Sequence, residues 1–451
     1  MTTISRRGFL KSAAATSGVM IVPRRVLGGP GRVPPSDRLN IAGIGVGGQG
    51  GADLSKVEKE NIVALCDADW ERAAPAFKRY PGAQRYKDFR VMLEKQKDID
   101  AVIVATPDHF HAVAAMAAIQ LHKHVFVEKP LTHNVYEARQ LRKAAKEAGV
   151  ATQMGNHGHA MESMRLLCEW IWDGAIGQVT EVHAWTPHPV WPQGMMQRPA
   201  ATPPVPATLD WDIWLGPAPH RPYHPAYLPM SWRGWLDFGT GGLGDMGCHI
   251  LDHAFWALKL GAPTSIDASF STFVAETLNW DKPKDTETYP QATLVTYKFP
   301  AREGFPPLTL TWYDGGLMPP RPEELPAGVR MGDQYGGALY VGDKGKILTG
   351  SHGANGLRIL PEERMNSYVR PPKTLPRSIG HHDEWVAACK GGPAPGSNFD
   401  YAAPLTEIVL VGCAAIRHGE KLHWDAENMR FPNAPEADQY LRRSYREGWA
   451  I

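Results

Sequence analysis

The sequence predicts an α/β fold with two domains, and three observations support this prediction. The chain has 451 residues, more than a single hydrophobic core usually serves. A short apolar run leads into the glycine-rich turn Gly45-x-Gly47-x-x-Gly50, and apolar runs then alternate with helix-like segments up to about residue 155. This alternation is typical of a doubly wound parallel sheet. Beyond residue 260, segments such as "ATLVTYKFP" and "LTLTWYDGG" indicate the strands of a half-exposed second sheet.

The composition predicts a globular protein whose partner is a small molecule. Hydrophobic residues make up 43% of the chain and charged residues 21%, as in ordinary globular enzymes. The 48 Lys and Arg residues balance 47 Asp and Glu residues without a long run of either sign. We therefore expect no binding to nucleic acid, and no association with membranes beyond export. The five cysteines are scattered without Cys-x-x-Cys spacing, which argues against a disulfide framework and a cysteine-based zinc site.

The N-terminus has the pattern of an export signal. The stretch "SRRGFLK", Ser5 to Lys11, is a twin-arginine motif, and the apolar run after it is too short for a stable membrane anchor. A disordered basic tail is the alternative, but Phe9 and Leu10 fit the export consensus as well as the arginines do. We predict that residues 1–35 are a signal and linker, and that the protein is periplasmic or otherwise exported by the twin-arginine pathway.

The glycine-rich turn predicts a dinucleotide site. Gly45 allows the tight turn, Gly47 lets the backbone approach a pyrophosphate, and Gly50 allows close packing of helix on strand. Asp67 ends the next apolar run, where a carboxylate accepts hydrogen bonds from ribose hydroxyls and repels a 2′-phosphate. A glycine turn without a ligand is the alternative, but strand, helix, strand and acid follow in the required order. Residues 36–155 are therefore predicted to be a Rossmann domain that binds NAD rather than NADP.

An acid and a histidine one helical turn apart suggest a substrate site. In "GTGGLGDMGCHILDH", Asp245 and His249 lie on the same face of a helix, so both can reach one sugar ring. Histidine has a pKa suited to removing a hydroxyl proton, and Lys129 can stabilise the alkoxide that forms. The alternative gives Asp245 a capping role and leaves His249 in the core.

No metal site is predicted. The chain has several close pairs of histidines, but none reproduces His-Glu-x-x-His or another zinc spacing. A segment rich in Pro, Trp and Tyr, residues 185–235, holds six tryptophans. Most are expected in the core, and at least one is expected to face the pocket as a platform for a sugar ring.

The Rossmann unit, "ATPDHFH", "EKP" and "GGLGDMGCHILD" follow one another in an order that resembles the Gfo/Idh/MocA family, from about residue 37 to the end. The resemblance implies that residues 156–451 form an α+β domain that binds substrate and mediates homo-oligomer contacts through an open, mainly antiparallel sheet. It implies that Glu128 is a cofactor neighbour rather than an acid catalyst. The implied catalytic residues are Lys129, Asp245 and His249. The implied cofactor-binding residues are Gly45, Gly47, Gly50, Asp67, Thr106, Pro107, His111 and Glu128.

Three classes of function fit these features. The first is an NAD-dependent oxidoreductase acting on a secondary hydroxyl of a sugar, glycoside or polyol. The second is a glycoside-cleaving enzyme that uses tightly bound NAD in a redox-neutral cycle of oxidation and elimination. The third is a non-catalytic NAD-binding regulator, against which Lys129, Asp245, His249 and the export signal argue.

Overall fold

The structure is a computed structural model that describes residues 37–272 and 286–451. The predicted export signal and most of its linker lie outside the described residues. The prediction about residues 1–35 is therefore carried forward as a prediction.

The N-terminal domain is built on a parallel sheet of six strands in the order β3-β2-β1-β4-β5-β6, as the alternation of apolar runs predicts. Its strands are β1 (Asn40–Ile44), β2 (Asn61–Cys66), β3 (Gln84–Tyr86), β4 (Ala101–Val104), β5 (His124–Val127) and β6 (Thr152–Met154). Its helices are α1 (Gln49–Lys56), α2 (Ala74–Arg79), α3 (Phe89–Lys95), α4 (Asp108–Gln120) and α5 (Val135–Ala148).

Local sequence explains where these helices begin and end. The Asn134 side chain accepts a hydrogen bond from the backbone N–H of Glu137, which caps the first turn of α5. Gly149 ends the same helix in the left-handed conformation, with φ of 66°, which glycine adopts without steric cost. The caps therefore define α5 independently of its packing.

The second sheet has eight strands in the order β13-β12-β11-β7-β10-β9-β8-β14. All neighbouring strands run antiparallel except β7 and β10, which are parallel, so the open, mainly antiparallel sheet is confirmed. Its strands are β7 (Val179–Trp185), β8 (Ser265–Phe270), β9 (Thr293–Phe299), β10 (Leu308–Tyr313), β11 (Gly337–Gly342), β12 (Gly345–Gly350), β13 (Arg358–Leu360) and β14 (Leu422–His423). The accompanying helices are α6 (Glu162–Trp172), α7 (Trp211–Leu215), α8 (Gly241–Ala257), α9 (Glu362–Ser367), α10 (His381–Cys389) and α11 (Phe399–His418).

Helix α11 forms the centre of the molecule. It packs against α5 of the first domain and against α8 and β8 of the second. By length and composition it is the one helix among the described residues that could cross a membrane, but 78% of its apolar window is buried inside the protein. Its end before Gly419 is as the sequence predicts. Fourteen of its twenty residues are buried, because elements of both domains cover it.

Two segments that follow residue 155 in the chain pack on the first domain. Helix α10 places Trp385, which is fully buried, in the core formed by Ile41 and Leu54 of the Rossmann unit. The segment 185–235 forms an aromatic cluster over the same domain and bonds to it through the backbone of Trp70 and Thr208. The division of the chain at residue 155 stays a prediction.

Candidate active site

A cavity of about 1000 Å³ lies at the carboxyl ends of β1, β2, β4 and β5. Its wall is formed by Rossmann turns, by the 185–235 segment and by the loops that flank β11 and β12. The sequence-predicted residues on this wall are Gly45, Gly47, Asp67, Thr106, Pro107, Glu128, Lys129 and His249. The remaining three, Gly50, His111 and Asp245, are not on the wall.

The glycine-rich turn has the geometry that a dinucleotide requires. Gly45 adopts φ of 80°, and a Cβ at Gly50 would lie 2.2 Å from the carbonyl oxygen of Gly45, so helix and strand approach each other too closely for a side chain. Helix α1 follows Gly48 and has no side-chain cap at its N-terminus. Its first N–H groups therefore remain available to a phosphate.

Asp67 lies at the predicted ribose end of this cradle. Its carboxylate accepts hydrogen bonds from the backbone N–H groups of Gly47 and Asp69, each at 2.9 Å. Burial raises the pKa of Asp67 to about 6, against the lowering effect of these backbone bonds. Glycine turn, open helix terminus and acid together fit the NAD expected from the sequence.

Arg72 is a residue of this cradle that the sequence analysis missed. Its side chain covers the glycine turn, since a Cβ at Gly47 would lie 2.6 Å from the Cγ of Arg72. Within 37–272 and 286–451, its guanidinium has no carboxylate partner. Arg72 is thus placed to pair with a pyrophosphate. Its distance in sequence from the glycine motif explains why the motif did not reveal it.

His111 does not have the cofactor contact that the resemblance implies. Its ring nitrogens lie 2.8 Å from the carbonyl oxygen of Pro130 and 2.9 Å from that of Thr106. The buried ring therefore holds two loops together behind the wall, and this correction follows from its backbone partners. The neighbouring Asp108 does line the cavity; burial raises its pKa to about 7 although it accepts a hydrogen bond from Thr240.

Lys129 and Asp245 meet across the two domains. The Lys129 Nζ donates to Asp245 Oδ1 at 2.8 Å and to the Asp245 carbonyl at 2.9 Å. Arg233 Nε donates to the same carboxylate oxygen at 3.0 Å, and His188 Nδ1 lies 3.1 Å from the other oxygen. Burial opposes ionisation of Asp245, but Lys129, His188 and Arg233 outweigh it and hold the pKa well below its usual range.

Asp245 does not line the cavity, and its contact with a substrate stays a prediction. Both of its carboxylate oxygens are engaged by protein groups, whereas Lys129, His188 and Arg233 line the cavity. Asp245 positions these three groups towards a substrate. His188 and Arg233 come from the 185–235 segment, where no motif singled them out.

His249 faces the cavity one turn after Asp245, as the helical spacing predicts. Its Nδ1 is buried and has no hydrogen-bond partner. Burial and the nearby charge of Lys129 hold the pKa of His249 well below its usual range. The ring is therefore neutral at physiological pH and can accept a proton.

A second histidine, His352, lies against His249, with 4.3 Å between the ring centroids. It lines the cavity, and its Nδ1 is 2.8 Å from the Ser351 hydroxyl, which donates to Asp333 Oδ2 at 2.8 Å. Asp333 precedes β11, whereas Ser351 and His352 follow β12, so all three are far from His249 in sequence. Only the fold brings them together, so the sequence offered no signal for them.

Glu128 is part of a buried group of charges next to the cavity. His157 Nε2 lies 2.9 Å from Glu128 Oε1 and 3.6 Å from Asp53 Oδ1, and His382 Nε2 is 3.3 Å from the same Asp53 oxygen. Burial lowers the pKa of His157, but Glu128 and Asp53 outweigh it and the pKa is raised. Glu128 is thus a carboxylate paired with His157 rather than a free acid.

The tryptophans of the 185–235 segment have both predicted roles. All six are buried. Trp214 and Trp232 also line the cavity, and the Arg233 guanidinium lies 4.3 Å above the Trp232 ring. These two residues are candidates for the sugar platform.

Two domain families match the chain. Residues 38–156 match the Gfo/Idh/MocA oxidoreductase family, NAD-binding Rossmann fold, and residues 172–272 match the C-terminal alpha/beta domain of that family. The chain therefore carries the NAD-binding Rossmann domain and the C-terminal domain of Gfo/Idh/MocA family oxidoreductases.

Similar proteins are named as enzymes of sugars. Levoglucosan dehydrogenase of Pseudarthrobacter phenanthrenivorans is 26% identical over 213 residues, 47% of this chain and 46% of that protein. A glycosyl hydrolase family 109 protein of Shewanella pealeana is 32% identical over 162 residues, 32% of this chain and 35% of that protein. The chain thus spans less than half the length of these relatives.

The solved structures extend the likeness of fold to most of the chain. The WlbA dehydrogenase of Bordetella pertussis, in complex with NADH and UDP-GlcNAcA, aligns with a TM-score of 0.59 and 16% identity, covering 86% of this chain and 99% of that chain. At this identity the likeness establishes the fold.

Proposed function

We propose that this protein is an NAD-dependent oxidoreductase acting on a secondary hydroxyl of a sugar, glycoside or polyol. The observation that carries the proposal is the Lys129–Asp245 pair: Lys129 lies with His249 on the wall of the cavity that holds the NAD cradle, and Asp245 bonds to Lys129 from outside that wall. The proposal needs a cation to stabilise an alkoxide and a neutral base near the nicotinamide, and these residues supply both.

The residues divide the work as follows. NAD, which the glycine turn and Asp67 would hold, would supply the acceptor for the hydride of the substrate carbon. His249 accepts the hydroxyl proton, and the Lys129 ammonium stabilises the negative charge that develops on oxygen. Asp245 holds Lys129 in place for the reacting oxygen, while Trp214 and Trp232 offer apolar faces to the ring.

The class of substrate is supported by the names of the relatives and by the wall of the cavity. Levoglucosan dehydrogenase and inositol 2-dehydrogenase are among the similar proteins. A polar wall of lysine, arginine and histidines, with two tryptophans, suits a hydroxylated ring.

The test is a panel of glycosides and polyols incubated with the purified protein and NAD⁺. We expect a carbonyl product together with the absorbance of reduced nicotinamide, both lost in His249→Ala with the fold intact. A panel that yields neither a carbonyl product nor a cleaved glycoside overturns the proposal and favours the regulator.

A redox-neutral glycoside cleavage is the second candidate, and the His249–His352 pair favours it because elimination needs a further proton transfer. A glycosyl hydrolase family 109 protein and a 2,7-anhydro-N-acetylneuraminate hydratase are among the relatives. A cleaved glycoside with NAD⁺ unchanged would identify this cycle.

We also infer export in folded form to the periplasm, with NAD loaded beforehand, from the "SRRGFLK" motif and the cofactor cradle. A homo-oligomer formed through the open sheet is part of the same proposal. Fractionation of expressing cells and light scattering of the purified protein test location and oligomeric state.

A further inference from the structure

The two adjacent histidines of the cavity differ in how they are held. His249 Nδ1 has no partner, whereas His352 is supported from behind by Ser351 and Asp333. Asp333 also accepts a hydrogen bond from the backbone N–H of Ser351 at 2.9 Å. Burial opposes the ionisation of Asp333, but its hydrogen bonds from Ser351 and Tyr335 outweigh it and its pKa is lowered.

This arrangement determines which nitrogen of His352 carries the proton. An ionised Asp333 only accepts, so the single hydrogen of the Ser351 hydroxyl is donated to it. The Ser351 oxygen can then only accept from His352, so Nδ1 of His352 bears the hydrogen. The lone pair is on Nε2, which has no hydrogen-bond partner among the residues that the structure describes. His352 is thus an oriented, neutral base at the cavity wall.

From this geometry we infer that His352 is a second general base, which removes a proton from the carbon next to the carbonyl formed by oxidation. The inference rests on the proposed function, because that oxidation makes the carbonyl. It adds an activity, proton exchange at carbon, that dehydrogenation alone does not need. It also assigns the base for the carbon-bound proton to a residue of this chain, His352.

The step balances without a further reactant. The C–H bond breaks, its proton moves to Nε2 of His352, and its electron pair forms an enolate whose oxygen carries the negative charge. The Lys129 ammonium stabilises that oxygen. Return of the proton restores the ketone. Where the β-carbon bears an alkoxy group, the electron pair instead expels that group as an alkoxide. The alkoxide takes a proton from the imidazolium of His249 or His352.

His249 can perform both transfers in one turnover only if it first releases the hydroxyl proton. After it accepts the hydroxyl proton, its ring is an imidazolium and has no free lone pair. The adjacent His352 remains neutral, since burial and the Lys129 charge lower its pKa too. Two neighbouring bases thus allow oxidation and carbon deprotonation to follow each other.

Other groups near the cavity are less suited to this transfer. Glu128 is paired with His157, and Asp108 accepts from Thr240. His111, with both ring nitrogens directed at backbone carbonyls, shows what a structural histidine looks like here. His352 differs from it because one nitrogen is bonded and the other is free.

The experiment follows deuterium uptake in D₂O. The protein with NAD is incubated with an oxidisable sugar from the panel, and in a parallel arm with the corresponding keto sugar added directly. NMR and mass spectrometry report carbon-bound deuterium beside the carbonyl. We expect wild-type exchange, and a loss of at least about 100-fold in His352→Gln, the scale of general base catalysis.

In His352→Gln, the rate of hydride transfer in a single turnover should change far less than the rate of deuterium exchange. The control is His183→Gln, a histidine of β7 that bonds Tyr313 and does not line the cavity. Thermal unfolding checks that each variant is folded. Undiminished exchange in His352→Gln, or no wild-type exchange on the keto sugar, overturns the inference. If no sugar is oxidised, the proposed function fails, and the keto-sugar arm still decides the role of His352.

Discussion

At the scale of single residues, the chemistry of the cavity depends on a cation kept in place by a buried acid. Lys129 is held by Asp245 at 2.8 Å, and Asp245 is shared with Arg233 and His188. Breaking a buried pair usually leaves an uncompensated charge. Here Arg233 and the hydrogen-bonding ring of His188 remain beside Asp245 when the lysine is removed.

Lys129→Met should therefore lower kcat without unfolding the protein. Loss of the charge that stabilises the alkoxide is expected to cost about 10²-fold or more, while Arg233 still pairs with Asp245 and His188 still contacts its other carboxylate oxygen. Steady-state kinetics and thermal unfolding measure the two effects. Lys143→Met, which removes an exposed lysine of α5, is the control. A similar loss of kcat in the control, or a collapse in stability of Lys129→Met, would contradict this role.

The affinity for NAD should depend on pH through Asp67. Its pKa is about 6 in the free protein, and ribose hydroxyls that donate to the carboxylate favour the ionised form. Affinity is then constant above pH 6 and falls up to about tenfold per pH unit below it. Calorimetry from pH 5 to 8 measures this. Asp67→Asn should flatten the dependence and narrow the preference for NAD over NADP; an unchanged profile in that variant would refute the assignment.

The residues that sequence could predict are those within motifs. The glycines, Asp67, Lys129 and His249 lie in short patterns whose chemistry is local. Arg72 and His352 reach the cavity from segments far from any motif, so only folding reveals them. The sequence also could not show that Asp245 faces the side chains of Lys129, Arg233 and His188 rather than solvent.

At the scale of elements, the junction of β1 and α1 leaves no space for a side chain at Gly50. A methyl group there would lie 2.2 Å from the Gly45 carbonyl oxygen and 3.0 Å from the Ala105 Cβ. Gly50→Ala should therefore destabilise the protein by about 1–3 kcal/mol through overpacking, and should weaken NAD binding. Urea unfolding and calorimetry provide the measurements. Gly82→Ala, where no atom lies within 4 Å of the added methyl, is the control and should retain both properties.

Helix α11 packs against both domains, so the side chains that it buries should contribute to the stability of the protein. Leu405 is fully buried within it, and Leu405→Ala is expected to cost about 2–5 kcal/mol. Denaturant unfolding tests this against Glu420→Ala, a change at the exposed residue beyond the helix end. Equal midpoints for the two variants would contradict the central position of α11.

The sequence predicts the positions of strands and helices better than it predicts what packs around each of them. The β11–β12 hairpin turns between Gly342 and Gly345, where the glycines predict it. The full burial of α11 was not predictable, because its periodicity cannot show that a second domain covers its other face.

At the scale of the molecule, the 185–235 segment covers the cofactor end of the Rossmann domain. Its backbone bonds to residues 68 and 70, and Trp214 and Trp232 close one side of the cavity. The sequence marked this segment as unusual, but its place followed only from long-range packing. Such a cover favours slow release of a bound dinucleotide.

We therefore expect NAD to stay bound through purification. Retention on dilution requires a dissociation constant of about 1 μM or below. Mass spectrometry of protein denatured directly after purification should find NAD in near-equal amount to protein. An empty site, or activity that needs millimolar added NAD, would contradict this and favour a freely exchanging dehydrogenase.

The most direct test of the proposed function follows the hydrogen that leaves the substrate carbon. A sugar deuterated at the oxidised carbon is mixed with the NAD-loaded protein, and the reaction is quenched within the first turnover. Mass spectrometry of the released cofactor is predicted to show one deuterium in the nicotinamide, and none in His249→Ala or Lys129→Met. Unlabelled cofactor from the wild-type protein, in a reaction that nevertheless converts the sugar, would contradict hydride transfer in this cavity.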